Sequence, residues 1–282
     1  MRGLGIAGRA WGDEGAPPLL ALHGWLDNAA SFDALAPFLP ELRLLALDCP
    51  GHGHSEHVPL SGSYDFGDWL SLPFKVADHF GWERFTLMGH SMGAAVSALS
   101  AGVCPERIER LVLIEGLGPF TATDEEAPLH LQAQLERERR RRRPHPRYPT
   151  REAAAARLAS AVPGLSLAGA LRLVERGTRA LDGGVTWRAD PRLRVPSGLP
   201  FTEARVHAFL RRIEAPTLLI MAEDGWAVPG SIVDARAACI RRLERVRLPG
   251  AHHLHLDQPL GVARVLRSFL GLGPLTAFDT PG

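Results

Sequence analysis

Residues 85–99 contain the pattern that most constrains the fold of this chain. An apolar run leads into Gly-His-Ser-Met-Gly at 89–93, and a run of small residues of helical character follows. A strand that becomes a helix within so few residues forces the central residue into a left-handed backbone conformation, which small neighbours make possible. The Gly-x-Ser-x-Gly pattern in this setting raises a serine hydroxyl above the sheet, so it predicts that Ser91 is a nucleophile.

Apolar segments of strand character recur along the chain on both sides of this pattern. Besides the strand before Ser91, we predict strands at 17–23, 42–47, 110–114, 215–222 and 243–248. Segments of helical spacing lie between most of them, including 28–39 and 65–80. Because the strands are apolar along their whole length, the chain is predicted to have an α/β fold, a mostly parallel, doubly wound sheet covered on both faces.

The composition changes after residue 116. Segments of helical spacing and charged runs replace the apolar strands from 117 to about 205, and the alternation of strand and helix then resumes. We therefore predict three parts: a first part of the core at 1–116, an inserted helical lid or cap at 117–205, and a second part of the core at 206–282.

Charge and cysteine content limit the classes of partner. The 282 residues carry 32 Lys and Arg against 31 Asp and Glu, a net charge of +1, which favours neither nucleic acid nor an anionic membrane. Three separated cysteines, Cys49, Cys104 and Cys239, indicate a reducing compartment. With no signal-peptide pattern and no membrane-length apolar segment, we expect a cytoplasmic protein, no nucleic-acid partner and no integral membrane segment.

A serine hydroxyl needs a positioned base, and the histidines near residue 250 are the strongest candidates. We predict His253, in the loop after the last strand, because loops at the carboxyl ends of parallel strands meet in one crevice. His252 and His255 are close rivals in sequence. We expect no metal and no cofactor, because neither a carboxylate nor a cysteine at suitable spacing completes a zinc site with these histidines.

Two acidic residues compete to orient the base. Glu115 and Asp224 both follow predicted strands, and both keep the chain order serine, acid, histidine. The backbone amides of Trp25 and Met92 are predicted to form an oxyanion hole, because one follows a strand and the other begins a helix. Trp25, Phe120 and Trp226 are predicted to line an apolar substrate pocket.

Four motifs in this order resemble the α/β-hydrolase superfamily over nearly the whole chain. They are His-Gly-Trp at 23–25, Asp-x-Pro-Gly-His-Gly-x-Ser at 48–55, the Ser91 motif, and Gly-x-His-His at 250–253. The segments 114–119, 187–193, 222–226 and 252–255 resemble more narrowly the serine hydrolase-like proteins.

The resemblance also bears on the choice of acid. Many members of the superfamily carry an aspartate at the position that aligns with Gly225, which leaves Asp224 one residue out of register. Some members, including part of the haloalkane dehalogenase family, carry the acid after the preceding strand, where this chain has Glu115. The resemblance therefore favours Glu115 and keeps Asp224 as the alternative.

The resemblance implies a chemistry. Haloalkane dehalogenases and epoxide hydrolases use an aspartate nucleophile, so a serine at position 91 argues against both. The resemblance implies a serine hydrolase that cleaves carboxylic esters of small apolar substrates through an acyl-enzyme. Two alternatives stay open: a hydrolase of carbon–carbon bonds in diketone-type acids, which basic side chains facing the pocket would favour, and a ligand-binding protein with little turnover.

Overall fold

A computed structural model describes residues 3–139, 144–195, 198–226 and 228–275. The strands of this part of the chain are β1 (Gly8–Trp11), β2 (Pro18–Leu22), β3 (Arg43–Leu47), β4 (Phe85–His90), β5 (Ile108–Ile114), β6 (Arg147–Tyr148), β7 (Thr178–Leu181), β8 (Gly184–Trp187), β9 (Thr217–Asp224) and β10 (Leu243–Ala251). Its α-helices are α1 (Phe66–Trp69), α2 (Leu72–His79), α3 (Met92–Val103), α4 (Ala127–Arg139), α5 (Arg151–Ala161), α6 (Leu167–Gly177), α7 (Glu203–Leu210), α8 (Gly230–Ala237), α9 (Leu254–Asp257) and α10 (Pro259–Leu270).

The central sheet has seven strands in the order β1-β3-β2-β4-β5-β9-β10. Neighbouring strands run parallel, apart from β1, which is antiparallel to β3. The predicted α/β fold and its parallel strands are therefore confirmed. The short edge strand β1 was not predicted, since its side chains are mostly exposed and leave no apolar run in the sequence.

Apolar side chains on both faces of the sheet form two separate hydrophobic clusters. Leu87 and Leu113 pack in the cluster that contains α3, whereas Met88 and Val112 pack in the cluster that contains α10. Successive side chains of a strand point to opposite faces, so a sheet covered twice requires strands that are apolar throughout. This requirement explains the continuous apolar runs in the sequence.

The segment predicted as a helix at 28–39 has a different local structure. It forms two 3-10 helices, Ala29–Phe32 and Ala36–Phe38. Asn28 caps the first by accepting a hydrogen bond from the Ala30 amide at 3.0 Å. Pro37 has no amide hydrogen, so an α-helix through this position would lose a backbone hydrogen bond.

The residues between β5 and β9 form more than the helices that the sequence predicts. Helices α4 to α7 are accompanied by a small antiparallel sheet in the order β6-β8-β7. These strands have two to four residues each and half-exposed side chains, so their pattern is too short to detect in sequence. A lid function for 117–205 stays a prediction.

A buried ion pair joins this inserted segment to the core. Asp48, which follows β3, is fully buried and lies 2.7 Å from Arg176 of α6. It also accepts hydrogen bonds from the Ala29 and His54 amides at 2.8 and 2.7 Å. Burial would raise the pKa of Asp48, but these bonds from Arg176 and the two amides hold the pKa below its ordinary value.

Replacing Asp48 by alanine is therefore expected to lower the free energy of unfolding by about 3–5 kcal/mol, because the half-buried Arg176 and the amides of Ala29 and His54 would all lose this carboxylate partner. Chemical denaturation followed by circular dichroism measures this loss. Asp13→Ala, at an exposed position, is the matched control and should change the free energy by less than about 0.5 kcal/mol. Equal effects of the two substitutions would contradict the structural role of the ion pair.

Candidate active site

Ser91 lies in a sharp turn between β4 and α3. Its backbone has φ 52° and ψ −112°, a conformation that residues with a side chain rarely adopt. The Ser91 amide donates a hydrogen bond to the carbonyl of Ile114 at 2.8 Å, which fixes the turn to the neighbouring strand β5. At Gly93 a Cβ atom would lie 2.0 Å from the Leu22 carbonyl oxygen, so the last position of the motif must be glycine. The strand–turn–helix context predicted for Ser91 is present.

Met92 is the first residue of α3. The first amides of a helix have no acceptor within the helix and point beyond its end. Trp25 follows β2, and its indole Nε1 donates to the Leu193 carbonyl at 3.1 Å. These placements are compatible with the two amides as oxyanion donors, and that role stays a prediction.

Glu115 follows directly on β5, next to the serine turn, and its own φ of 54° is also positive. Its carboxylate accepts hydrogen bonds from the amides of Ala222 and Trp226 at 2.6 and 2.9 Å, and lies 3.0 Å from Nδ1 of His252. Burial would raise the pKa of Glu115, but the hydrogen bonds from His252 and the two amides outweigh it and lower the pKa. The group is therefore an oriented, ionised carboxylate.

Asp224, the alternative acid, is the last residue of β9 and is exposed. Its backbone pairs with Ala251 of β10. Among the described residues, no histidine forms an ion pair with its side chain. The geometry therefore favours Glu115 over Asp224 as the acid.

Gly225 explains how the Glu115 carboxylate fits. A Cβ atom on Gly225 would lie 2.3 and 2.5 Å from the two carboxylate oxygens of Glu115. The carboxylate thus occupies the space into which a side chain at position 225 would project. The position of the Glu115 carboxylate after β5 therefore requires a residue without a side chain at 225.

A methyl group at position 225 is expected to displace the Glu115 carboxylate. We predict that Gly225→Ala lowers kcat/KM for an ester by about 10- to 100-fold, the usual effect of misplacing a catalytic group by about 1 Å. Steady-state kinetics test this. Gly230→Ala is the matched control, because a Cβ there would have no atom within 4 Å. A fully active Gly225→Ala enzyme would argue that Glu115 is not the acid.

The two consecutive histidines point in different directions. His252 follows β10 and faces Glu115, with its ring 5.3 Å from the ring of Trp226. His253 precedes α9, and its Nε2 lies 3.2 Å from a carboxylate oxygen of Asp27. Burial would lower the pKa of His253, but the charge of Asp27 raises it above its ordinary value.

This pairing differs from the contact that the sequence predicts for His253, and the identity of the base stays a proposal. The sequence predicted that His253 would contact the acid, but Glu115 contacts His252. The physical reason is an irregularity near the end of β10: the strand pairs in register with β9 as far as Leu248, then shifts by one residue, so that Ala251 lies opposite Asp224. The next residue, His252, is therefore the one beside Glu115, and the chain has turned by His253. The sequence alone does not give the last residue of β10, so it cannot tell which of the two adjacent histidines faces Glu115.

Two more histidines lie behind this pair. His255 is fully buried, with Nε2 2.7 Å from the Ser31 hydroxyl. His90, the last residue of β4, lies with Nε2 2.8 Å from the backbone carbonyl of His252. Burial lowers the pKa of His90 to about 4, so its imidazole is neutral and donates to that carbonyl. Sequence analysis missed His90, although it is the variable residue before the motif serine.

Exposed aromatic side chains surround the site. Phe120 and Trp226 are 77% and 57% exposed, and their rings lie 6.4 Å apart. Trp226 also contacts His252, whereas Trp25, 51% exposed, is fixed to Leu193 by its indole. Trp226, with Phe120 beside it, therefore offers apolar surface next to the Glu115–His252 pair, which is compatible with these two predicted pocket residues.

Comparison with known proteins shows the family to which this chain belongs. The family profile described as the alpha/beta hydrolase fold matches residues 17–259. The chain therefore belongs to the α/β-hydrolase family. Within the described residues, no helix has the length and apolarity needed to cross a membrane.

Individual relatives narrow this assignment. A serine hydrolase-like protein of Danio rerio is 32% identical over 276 residues, which cover 94% of this chain and 85% of that protein. A hypothetical protein of Pseudomonas aeruginosa PAO1, known from a crystal structure, is 43% identical, with a TM-score of 0.90 over 96% of this chain and 97% of that one. A thioesterase domain from the curacin biosynthetic pathway is 29% identical, with a TM-score of 0.84 over 94% and 96% of the two chains. The resemblance to the serine hydrolase-like proteins is confirmed.

Proposed function

We propose that this protein is a serine hydrolase that cleaves carboxylic esters of small apolar substrates through a triad of Ser91, His252 and Glu115. The observation that carries the proposal is the contact between Glu115 and His252 beside the strained turn of Ser91. His252 replaces His253 as the base because His253 directs its Nε2 to Asp27 instead.

The hydrogen bond to Glu115 determines which ring nitrogen of His252 carries the proton. A neutral imidazole carries one proton, and the carboxylate holds it on Nδ1 of His252. Nε2 then has a free lone pair and can accept the proton of the Ser91 hydroxyl as the oxygen attacks the ester carbonyl. Once the imidazole is positively charged, the Glu115 carboxylate stabilises it.

The remaining steps follow from this arrangement. The amides of Trp25 and Met92 would donate hydrogen bonds to the oxyanion, each worth about 3 kcal/mol in the transition state. His252 then gives its proton to the leaving alcohol, and the acyl group stays on Ser91. A water molecule, deprotonated by His252, hydrolyses this acyl-enzyme and regenerates the serine.

The preference for an apolar acyl group is supported by the aromatic surface around the site. Phe120 and Trp226 together offer two large rings beside His252. Thioesters belong in the same test, since the similar domain from the curacin pathway is a thioesterase. Cleavage of carbon–carbon bonds in diketone-type acids would use the same triad and is the competing enzymatic function.

Activity-based labelling separates an enzyme from a ligand-binding protein with little turnover. Incubation with a fluorophosphonate, followed by peptide mass spectrometry, should identify one modified serine, Ser91. Acyl esters and thioesters of increasing chain length then define the substrate class. An unlabelled protein that hydrolyses none of these esters would contradict the proposal.

A further inference from the structure

A cluster of potential metal ligands lies behind the Glu115–His252 pair. Asp27, His90 and His253 each offer one ligand atom, and these three atoms all lie within 4.8 Å of one another. Asp27 Oδ2 is 3.2 Å from His253 Nε2 and 3.6 Å from His90 Nδ1. The side chains of Asp27, His90 and His253 are only 11%, 1% and 7% exposed.

The hydrogen bonds of His90 leave one of its nitrogens without a partner. Its Nε2 donates to the carbonyl of His252, so in the neutral imidazole Nδ1 carries a lone pair. That lone pair faces a carboxylate oxygen of Asp27, which is also an acceptor. Nδ1 of His90 lies 3.6 Å from that oxygen, too far for a hydrogen bond, and it is buried without a hydrogen-bond partner in the described part of the chain. Such an arrangement attracts a cation.

The two separations from the Asp27 oxygen suit a small tetrahedral cation, and the third pair, His90 Nδ1 and His253 Nε2, lies within 4.8 Å. With metal–ligand bonds of about 2.0–2.1 Å, two ligands of a tetrahedral zinc ion lie about 3.3 Å apart. The two measured separations from Asp27, 3.2 and 3.6 Å, lie on either side of this value. Two imidazole nitrogens and one carboxylate oxygen are ligands of zinc and cobalt, whereas magnesium and calcium prefer oxygen alone.

We propose that Asp27, His90 and His253 form a binding site for Zn²⁺ or a similar transition-metal cation, with water as the fourth ligand. The cation would take the place of the proton shared by His253 and Asp27. The carbonyl of His252 would orient His90 from behind, as the outer partners of ligating histidines do. The sequence argued against such a site because a carboxylate was missing, and the fold supplies it from Asp27.

The site would join three segments of the proposed catalytic machinery. Asp27 belongs to the loop after β2 that contains Trp25, His90 directly precedes Ser91, and His253 directly follows His252. A bound cation would therefore fix the nucleophile, the base and the oxyanion loop relative to one another. Metal binding itself does not depend on the proposed esterase activity, so the two can be tested separately.

Titration of the metal-free protein with Co²⁺ and Zn²⁺ tests the site. We expect one cation per chain by calorimetry, visible absorption typical of four-coordinate Co²⁺, and a higher Tm with Zn²⁺. Asp27→Asn and His253→Gln should each weaken binding at least tenfold. His79→Gln, at an exposed position, is the matched control and should bind as the unmodified protein does.

Two further measurements keep the result unambiguous. His252→Gln should still bind the cation, which excludes binding by the Glu115–His252 pair. X-ray absorption of the zinc-loaded, unmodified protein should detect two imidazole ligands. This measurement needs no variant, so it tests the site even where a substitution prevents folding. Absence of binding, or binding that is lost in His252→Gln but kept in Asp27→Asn, would overturn the proposal.

Discussion

Replacing Ser91 by alanine should reduce kcat for ester hydrolysis by at least about 10⁴-fold, since removal of a triad nucleophile leaves only the contribution of binding and the oxyanion hole. The fold should be retained, because the Ser91 hydroxyl makes no recorded hydrogen bond in the described structure that the fold would lose. Steady-state kinetics and circular dichroism measure the two expectations. Fluorophosphonate labelling should disappear together with the activity.

The same helix provides a matched control. Ser97 is also a serine of α3, fully buried, with a hydroxyl that has no hydrogen-bond partner in the described structure. Ser97→Ala should therefore keep both activity and labelling. Hydrolysis that survives in Ser91→Ala would show that another nucleophile is responsible.

Replacing His252 by glutamine should reduce kcat by a similar factor of at least about 10⁴, because the serine would lose its base. Residues of one catalytic unit are not additive, so the double variant Ser91→Ala/His252→Gln should be no less active than Ser91→Ala alone. Steady-state measurements with an activated ester give kcat for His252→Gln and for the double variant.

The comparison with His253→Gln tests the corrected assignment directly. Because His253 faces Asp27 rather than Glu115, its replacement should lower kcat much less than replacement of His252 does. His79→Gln at an exposed position should have no effect. A greater loss in His253→Gln than in His252→Gln would restore the original sequence-based prediction.

The parts of the fold that the sequence predicts are those that bury apolar side chains on both faces. β4 has six buried residues in succession and β9 has four, and such runs are visible without any structure. The exposed edge strand β1 and the short strands β6 to β8 lack this signal. The two 3-10 helices at 29–38 share the apolar spacing of an α-helix, so only the hydrogen bonds distinguish them.

In the candidate site, too, some residues have a signal in the sequence and others have none. The positions of Ser91 and Glu115 at the ends of strands could be predicted because each directly follows a strand whose end is marked in the sequence. The base could not be assigned between His252 and His253, since a shift of one residue at the end of β10 exchanges their directions. Asp27 and His90 had no local signal at all, because their proximity to His253 arises only when β2, β4 and β10 come together in one sheet.

The positive φ of Ser91 has a consequence for the evolution of the chain. A residue with a side chain in this conformation is unfavourable by about 1–3 kcal/mol, and glycine would relieve most of it. Selection for thermal stability alone would therefore replace this serine. Under the proposed function, the chain keeps a less stable residue here because the reaction needs its hydroxyl, a trade-off between stability and activity that is common at reactive positions.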